Sequence, residues 1–551
     1  MNARSLRFHL RHRVSLRNPA RRRRPEIRVE LPLLERLQQI DQLQQFNPLP
    51  QYGSAPSLGI AAESGAIGSL CGVGAAHAPL RAPMPGEQYR FHFDMTKCIG
   101  CKCCVVACNE QNGNPADILF RRVGEIEGGT YPTTVRHYLS IGCNHCLEPT
   151  CMTGCPVNAY TKDSLTGIVR HSADACIGCQ YCTWNCSYGV PQYNPERGVV
   201  GKCDMCFGRL QRGQSPACVS ACPEDAIQIE LVNIREWRSD YRQHANSPGM
   251  PSADDSISTT RITLPKRAQS GLEKVNLAHL RTEQAHWPLI LMTLLTQLSV
   301  GAFAAVWRIQ TAGFGTHRSA ALFALFVAIV ALGASTFHLG RPIHAMRALK
   351  MWRRSWLSRE VLLFTLFACA ATAYSASLLA LSAPGAGLGA LTVLLGAAGV
   401  GASARLYLVP GRPAWNSPLT VLEFFSTVAV LGTAINHELV PGESSGKAAV
   451  LLAGFCALIV LAGKLLRLRW TKGHELYASW QLLSSVLANR LWLRALLLVL
   501  GASLAASAGH SWMRIAGLLS LIAGELLGRY LFFVSVVPTN IATGYLAQEA
   551  A

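Results

Sequence analysis

Sixteen of the chain's 20 cysteines fall into four groups of four between positions 98 and 222. The first and third groups have the spacing C-x2-C-x2-C-x3-C, and the second and fourth end in C-x3-C-P. Such a run places three thiolates in one tight loop, while the fourth, on the next turn, reaches a neighbouring iron–sulfur cubane. The four groups therefore predict four [4Fe–4S] clusters. The predicted metal ligands are Cys98, Cys101, Cys104, Cys108, Cys143, Cys146, Cys151, Cys155, Cys176, Cys179, Cys182, Cys186, Cys203, Cys206, Cys218 and Cys222.

Two other uses of clustered cysteines compete with this prediction. A disulfide framework is typical of short secreted chains, whereas the arginine-rich start of this long chain lacks the apolar core of a secretory signal. Zinc sites generally combine two separated cysteine pairs, but the first and third groups each fit four spaced cysteines into one short run. Cys103 falls outside the spacing and is predicted to be a free, buried thiol.

The composition of the chain changes sharply along its 551 residues, which are too many for one ordinary domain. Residues 1–88 are predicted to be a basic, mostly disordered arm and linker. Within them, Leu33–Phe46 is either a short docking helix or a solvated helix, and Cys71 has no assigned role. The formal net charge is +19, but the basic residues concentrate in this arm and between apolar runs. That distribution indicates a membrane protein facing anionic lipid, with no nucleic-acid partner.

Short strand-like segments flank the cysteine groups. The stretch "YRFHFDMTKCIGC" runs from an alternating strand into the first group, "TGIVRHSADACIGC" does the same before the third, and "AIQIELV" follows the fourth. Residues 89–235 are therefore predicted to be an α+β polyferredoxin made of two ferredoxin-like pairs. Residues 236–286 carry few large apolar side chains and are predicted to be a linker.

The rest of the chain, residues 287–545, is predicted to be an all-α bundle of eight transmembrane helices, because each apolar run approaches the roughly 20 residues that span a bilayer. The runs are 288–307, 319–338, 361–382, 386–409, 420–437, 448–466, 493–509 and 515–538, of which the seventh is marginal. Basic residues crowd the loops after the second and sixth spans, on the side of the cysteine groups. They are Arg341, Arg347, Lys350, Arg353, Arg354, Arg359, Arg467, Arg469, Lys472, Arg490 and Arg494.

The order of the cysteine spacings, with "CNHC", "CIGCQYC" and "KCDMC" opening the last three groups, resembles the four-cluster subunit of dimethyl sulfoxide reductase and related molybdopterin complexes. The resemblance spans about residues 89–235. It implies that the first group shares its two clusters with the fourth, and the second with the third. Relatives that lose a third-group cysteine carry a [3Fe–4S] centre. Because all four are present here, we expect four full cubanes.

The membrane half resembles the anchor subunit of the same complexes through "HWPL", "FHLGRP", "ARLY" and "AGELLGRYLFF". The resemblance implies a quinone site around His338, Arg341 and Glu360. Histidine and carboxylate side chains can relay the two protons that accompany quinone reduction, although His338 has the alternative role of capping a helix end. Glu423 and Arg405 are further candidates. Glu525 and Arg529, one helical turn apart, are predicted to pair, and Tyr407 and Trp415 are possible interface anchors.

These features predict an electron-transfer and anchor subunit that passes electrons between a molybdopterin-containing partner and menaquinone or ubiquinone. The substrate site would lie on that partner, for which sulfite oxidation is the first expectation and S-oxide or polysulfide reduction the second. The loop charges predict an inner-membrane protein whose iron–sulfur domain faces the cytoplasm, as in sulfite dehydrogenases of this architecture. Haem is not favoured, since the membrane half lacks paired histidines at similar depth. The alternatives are a redox-linked ion pump or sensor and a zinc module.

Overall fold

The computed structural model describes residues 81–265, 272–274, 280–380, 385–507 and 510–539. Of the predicted arm and linker, only residues 81–88 belong to this set. The candidate helix Leu33–Phe46 and Cys71 lie outside the described residues.

The cysteine-rich half is built from short strands and helices, as the sequence predicts. Its strands are β1 (Glu87–Asp94), β2 (Arg122–Gly128), β3 (Val135–Ile141), β4 (Tyr160–Lys162), β5 (Val169–His171), β6 (Gln192–Asn194), β7 (Val199–Gly201), β8 (Ile227–Asn233), β9 (Arg261–Thr263) and β10 (Glu273–Lys274). Its helices are α1 (Cys103–Asn112), α2 (Thr150–Gly154), α3 (Tyr181–Asn185), α4 (Phe207–Leu210), α5 (Ala217–Ser220) and α6 (Ile234–His244).

Four small sheets hold this half together, in the orders β8-β1-β9, β10-β2-β3, β4-β5 and β6-β7. β1 pairs antiparallel with β8, so that Tyr89 lies opposite Leu231 and Phe93 opposite Ile227. Because side chains alternate along a strand, the aromatic residues of β1 all enter the core, where Phe91 and Phe93 are almost fully buried. The three strands predicted beside the cysteine groups are confirmed as β1, β5 and β8.

Part of the segment predicted as a linker, residues 236–286, is folded. Most of α6 lies in it, and Trp237 of that helix donates its indole N–H to the Ser258 carbonyl at 2.8 Å. β9 adds a parallel strand to β1, with His92 opposite Arg261. Trp237, Ala245 and Ala253 of this segment form a small buried core with Val232 of β8. Composition alone therefore misjudged it.

Within the described residues, eight helices are long and apolar enough to cross a bilayer, which confirms the predicted spans. They are α7 (Trp287–Thr311), α8 (Arg318–Thr336), α9 (Trp356–Ala380), α10 (Ala386–Leu406), α11 (Pro418–Leu439), α12 (Ser444–Trp470), α14 (Ala488–Ala505) and α15 (Ser511–Val534). A short helix that was not predicted, α13 (His474–Ser484), precedes the seventh span.

The spans pack as two groups of four, α7 to α10 and then α11, α12, α14 and α15, with α7 as the central helix. The most apolar stretch of α7 is 83% buried, more than that of any other span described. Gly301 on α7 approaches Gly432 on α11 so closely that a Cβ on Gly301 would lie 3.0 Å from the Gly432 amide nitrogen. Small residues at such crossings let helix backbones approach within a membrane.

The loop between α8 and α9 joins the two halves of the protein. It contains a 3₁₀ helix, Pro342–Leu349. The amides of Gly340 and Met351 donate to the carbonyls of Gly178 (3.3 Å) and Pro156 (3.1 Å). Ser355 donates its hydroxyl to the Gly154 carbonyl at 2.6 Å. The loop therefore binds the segments around both the second and the third cysteine groups.

The contact of Gly340 with the cysteine-rich half leaves no space for a side chain. A Cβ at Gly340 would lie 2.2 Å from the Gly198 carbonyl oxygen and 2.7 Å from the Tyr193 hydroxyl. We therefore expect Gly340→Val to destabilise the protein by about 1–3 kcal/mol, the usual cost of overpacking, and to lower the melting temperature of the purified protein. Gly333→Val is the matched control, because Gly333, near the end of α8, has nothing within 4 Å. Equal melting temperatures for the two variants would contradict this packing.

Candidate functional site

The first and third cysteine groups adopt the same backbone turn. In Cys98–Lys102, Gly100 and Lys102 have φ angles of 74° and 61°, and in Cys176–Gln180, Gly178 and Gln180 have 70° and 58°. Two residues with a left-handed backbone conformation in one short loop change the chain direction twice. Such a loop is suited to wrap around one cluster. All sixteen predicted ligands are free of disulfides.

The second and third groups meet at one cavity. Three cysteines of the second group, Cys143, Cys146 and Cys151, line it together with Cys186, the last cysteine of the third group. A cluster shared between two groups requires three thiols from one group and the fourth from its neighbour. The cavity shows this pattern. Lys202, which is 6% exposed, lies with its Nζ 3.7 Å from the Cys143 sulfur. A buried cation there would offset the negative charge of a cluster bound by these thiolates.

The first and fourth groups meet in one hydrophobic core, which contains Cys104, Cys108, Cys203, Cys218 and Cys222 and also Cys143 of the second group. A buried arginine, Arg121, donates to the Ser140 hydroxyl at 3.1 Å, and this hydroxyl is 3.6 Å from the Cys104 sulfur. Cys103, predicted to be buried, is exposed, because it begins α1 on the outer side of the loop.

Backbone amides point at several of the cysteine sulfurs. The N–H of Ala159 donates to Cys155 at 3.3 Å, that of Gly178 to Cys176 at 3.4 Å, and that of Ala226 to Cys222 at 3.2 Å. Hydrogen bonds of this kind stabilise thiolates and help to set the potential of an iron–sulfur cluster. No three His, Cys, Asp or Glu side chains of the described residues lie close enough to bind a single metal ion. A cubane differs in that its four thiolates bind four separate irons.

A larger cavity of about 320 Å³, here called the interface cavity, lies where the third cysteine group meets the membrane helices. Its lining includes Cys179 and Trp184 from the cysteine-rich half and His338, Glu360 and Tyr407 from the membrane half. Cavities of this size accommodate small organic ligands. A predicted cluster ligand therefore shares one chamber with two of the three predicted quinone residues.

His338 follows α8 and donates from its Nδ1 to the Ser335 carbonyl. The helix-end contact considered from the sequence is thus present. Because a carbonyl only accepts, Nδ1 carries the proton of a neutral ring, and Nε2 is left as a proton acceptor. Burial lowers the pKa of His338 to about 4. The imidazole is therefore neutral at physiological pH, with the Nε2 lone pair free to accept a hydrogen bond, and it is a weaker base than an exposed histidine.

The other predicted residues of this site have different surroundings. Glu360, on the first turns of α9, is 5% exposed. Arg341 is not among the lining residues of the interface cavity. Its backbone N–H donates to the Ile177 carbonyl at 3.1 Å and its guanidinium to the Ala173 carbonyl at 2.8 Å. Arg341 thus holds the third cysteine loop against the membrane half.

Tyr407 and Trp415 are not interface anchors, because both are 2% exposed. They pack with Trp184, whose ring centroid lies 5.9 Å from that of Tyr407 and 5.4 Å from that of Trp415. Sequence reasoning missed Trp184 and Tyr407 as cavity residues. The available signals were that Trp184 lies inside the third cysteine group and that Tyr407 ends the "ARLY" motif.

A group of five ionisable residues, here called the buried charge cluster, lies in the second four-helix group: Glu423, Lys464, Arg494, Glu525 and Arg529. Glu423 accepts hydrogen bonds from Lys464 at 2.7 Å and from Arg494 at 3.2 Å. The predicted pairing of Glu525 with Arg529 is wrong. Glu525 lies 3.8 Å from Arg494 and accepts from Thr427, whereas Arg529 donates to Gln297 on α7 at 2.8 Å. Arg494, predicted as a loop residue, is 4% exposed inside α14.

Comparisons with known proteins match both halves of the molecule. Residues 134–231 match the family described as a 4Fe-4S dicluster domain, and residues 280–534 match the DMSO reductase anchor subunit.

Three relatives align with the cysteine-rich half. A component of the anaerobic dimethyl sulfoxide reductase of Haemophilus influenzae is 38% identical over 177 residues, which are 30% of this chain and 85% of the relative. The protein with the same name in Escherichia coli is 40% identical over 170 residues, 29% of this chain and 82% of the relative. A component of the sulfite dehydrogenase of Allochromatium vinosum is 36% identical over 160 residues, 25% of this chain and 67% of the relative.

Proposed function

Because this protein belongs to the family of dimethyl sulfoxide reductase iron–sulfur subunits, here fused to the corresponding membrane anchor, we propose that it carries electrons between a catalytic partner and a membrane quinone through four [4Fe–4S] clusters. The protein is a multi-pass membrane protein with an iron–sulfur electron-transfer domain.

The four cubanes are supported by the repeated loop turns and by the cavity that Cys186 shares with the second group. Anaerobically purified protein should contain about 16 irons per chain, four for each cubane, and a matching amount of acid-labile sulfide. Metal analysis that finds zinc in place of iron would remove the basis of the proposal.

One observation above all supports quinone exchange: Cys179, His338 and Glu360 line the same cavity. A quinone there would lie beside the cluster held by the third group, which supplies or accepts its electrons. His338 Nε2 and the Glu360 carboxylate would exchange its protons, since quinone reduction takes up two electrons and two protons. Menaquinone and ubiquinone both fit this chemistry.

The two proton-exchanging side chains give the first functional prediction. We expect His338→Gln and Glu360→Gln each to slow cluster reduction by quinol about 100-fold, as is typical for loss of an acid–base group. Reduction of the clusters by dithionite, which bypasses the cavity, should not change. His344→Gln is the control, because His344 belongs to the same loop but is not among the cavity residues. Wild-type rates in both cavity variants would refute the site.

The opposite end of the electron path is proposed to lie at the first cysteine group. Cys101 is exposed, and beside it Ile99 and Val106 expose 57% and 61% of their surface. Exposed apolar residues around a cluster loop suit a contact with another subunit. We propose a molybdopterin-containing catalytic partner at this surface, with sulfite as the first expected substrate and an S-oxide or polysulfide as the second. Affinity purification of the intact complex, followed by mass spectrometry of the large partner, tests this assignment.

We propose that the protein lies in the inner membrane with its iron–sulfur domain in the cytoplasm. Arg341, Arg347 and Arg354 donate hydrogen bonds to the cysteine-rich half. Their positive charge therefore has a structural role apart from membrane orientation. The orientation is supported by the other basic residues on this side, which include Lys350, Arg353 and Lys472 in loops and Arg469 in the last turn of α12. A fluorescent protein fused after residue 551 should be fluorescent, and alkaline phosphatase at the same point inactive. Active alkaline phosphatase would show that the C-terminus lies in the periplasm and would contradict the proposed orientation.

Redox-linked ion translocation or sensing is a second candidate function. It is favoured by the buried charge cluster, which is larger than the single pair expected from the sequence. The cluster is bordered within its helix group by Leu431, Leu498 and Leu521, which are fully buried and apolar. Quinol oxidation in sealed vesicles tests this function, which requires more protons to cross the membrane than quinol chemistry releases.

A further inference from the structure

The interface cavity is bounded on one side by residues that the protein leaves exposed. Two of its lining residues, Met346 and Thr365, are also exposed on the outside. Thr365 lies well inside α9, and Met346 lies on the 3₁₀ helix Pro342–Leu349. The exposed side of a membrane-spanning helix contacts lipid. A cavity wall that continues onto this side therefore has its mouth in the bilayer.

The surroundings of the mouth are apolar. Phe337, Ile343, Met346 and Leu366 expose 77%, 94%, 78% and 44% of their surface. The Thr365 hydroxyl donates to the Val361 carbonyl of its own helix at 2.7 Å, so its donor needs no outside partner. Large apolar side chains exposed beside a membrane helix are stable only when lipid covers them.

The lining of the interface cavity also includes polar groups. His338 and Glu360 are on its wall, and Tyr407, 2% exposed, closes the side toward α10. No protein atom of the described residues hydrogen-bonds the Tyr407 hydroxyl, so it is free to bond a ligand. A ligand that matches both the polar lining and the exposed apolar residues has a polar redox head and a long apolar tail.

We propose that the quinone enters from the bilayer between the 3₁₀ helix and α9, head first, and that its isoprenoid tail remains in the mouth between Met346 and Thr365. This inference rests on the proposed quinone function and adds its access route and orientation. In this proposal Thr365 and Met346 are positioning residues: they contact the tail, so they distinguish quinones that have a tail from those that lack one. Only a tailed quinol keeps its hydrocarbon in the mouth once its head is bound.

The test compares two tryptophan variants of equivalent threonines. Thr365→Trp places a bulky ring in the mouth. Thr372→Trp does the same two turns further along the exposed side of α9, where Thr372 makes the same intrahelical bond, to Ala368, and is not among the cavity residues. Cluster reduction is measured with a quinol of natural tail length and with a tail-less quinol. We expect Thr365→Trp to raise the KM for the tailed quinol about tenfold with kcat unchanged, and Thr372→Trp to leave both constants at wild-type values.

The results distinguish a wrong access route from a wrong quinone function. If Thr365→Trp and Thr372→Trp have equal KM values for the tailed quinol, the access route is wrong. If neither quinol reduces the wild-type clusters and neither of the corresponding quinones reoxidises clusters first reduced with dithionite, the proposed function itself fails. Met346→Trp, which alters the loop and leaves α9 unchanged, is judged by the same KM ratio and decides the question if Thr365→Trp does not assemble.

Discussion

Cells that produce Cys179→Ala will retain the membrane protein but will lose electron transfer between quinol and the clusters. Cys179 is the predicted cluster ligand that lines the interface cavity, so its removal acts where electrons are proposed to pass between the two halves. We expect the rate of cluster reduction by quinol to fall at least about 100-fold, equivalent to about 2.7 kcal/mol in the barrier. The rate is measured by stopped-flow absorbance in membranes with a natural-tail quinol.

The control for this prediction is Cys103→Ala, which removes an exposed cysteine outside the predicted ligand set. Its iron content and quinol rate should equal those of the wild type. In Cys179→Ala, electron paramagnetic resonance of dithionite-reduced protein should still detect the clusters of the other groups, which shows that the domain has folded. Quinol reduction at the wild-type rate in Cys179→Ala would mean that electrons take another path.

Glu423→Leu is expected to cause the largest loss of stability. The buried charge cluster contains two carboxylates and three cations, and Glu423 is hydrogen-bonded to Lys464 and Arg494. Removing one partner of a buried ion pair typically costs about 3–5 kcal/mol, because the remaining charge stays buried without compensation. We therefore expect a large fall in the melting temperature of the protein in lipid nanodiscs.

A second substitution tests whether uncompensated charge is the cause. Glu423→Leu combined with Lys464→Met restores the net charge of the cluster, so the double variant should be more stable than Glu423→Leu alone. Glu443→Gln is the matched control. It removes a carboxylate from the pair with Arg308, whose side chain is 44% exposed, and such exposed pairs contribute about 0–1 kcal/mol. A double variant less stable than the single one would show that packing, not charge, dominates.

Local chemistry explains why much of this protein follows from its sequence. A cluster loop needs its cysteines at short fixed spacings, and the loops at Gly100 and Gly178 adopt one turn because they share the tetrapeptide Cys-Ile-Gly-Cys. A membrane span needs only length and apolar character, so even the marginal seventh run proved to be a helix, α14. The polar segment after β8 was misjudged, because its small core needs only Trp237, Ala245 and Ala253 beside Val232, too few apolar residues to stand out in the composition.

The resemblance indicated His338 and Glu360, but their shared cavity with Cys179, Trp184 and Tyr407 is a property of the assembled protein. Arg341 illustrates the limit of motif reasoning. It adjoins the cavity loop in sequence, yet its hydrogen bonds go to the third cysteine loop. The motif identifies the loop, while packing decides the direction of each side chain within it.

The amino-acid sequence by itself determined the cysteine groups, the eight spans and the order of the two halves, because each depends on residues that are near one another in the chain. Only the tertiary structure decided which cysteine loop meets the membrane half, which residues line the interface cavity, and that Glu423, Lys464 and Arg494 come together from three helices. These contacts join residues far apart in sequence, and helix periodicity fixes which face of a helix is buried but not which partner covers it.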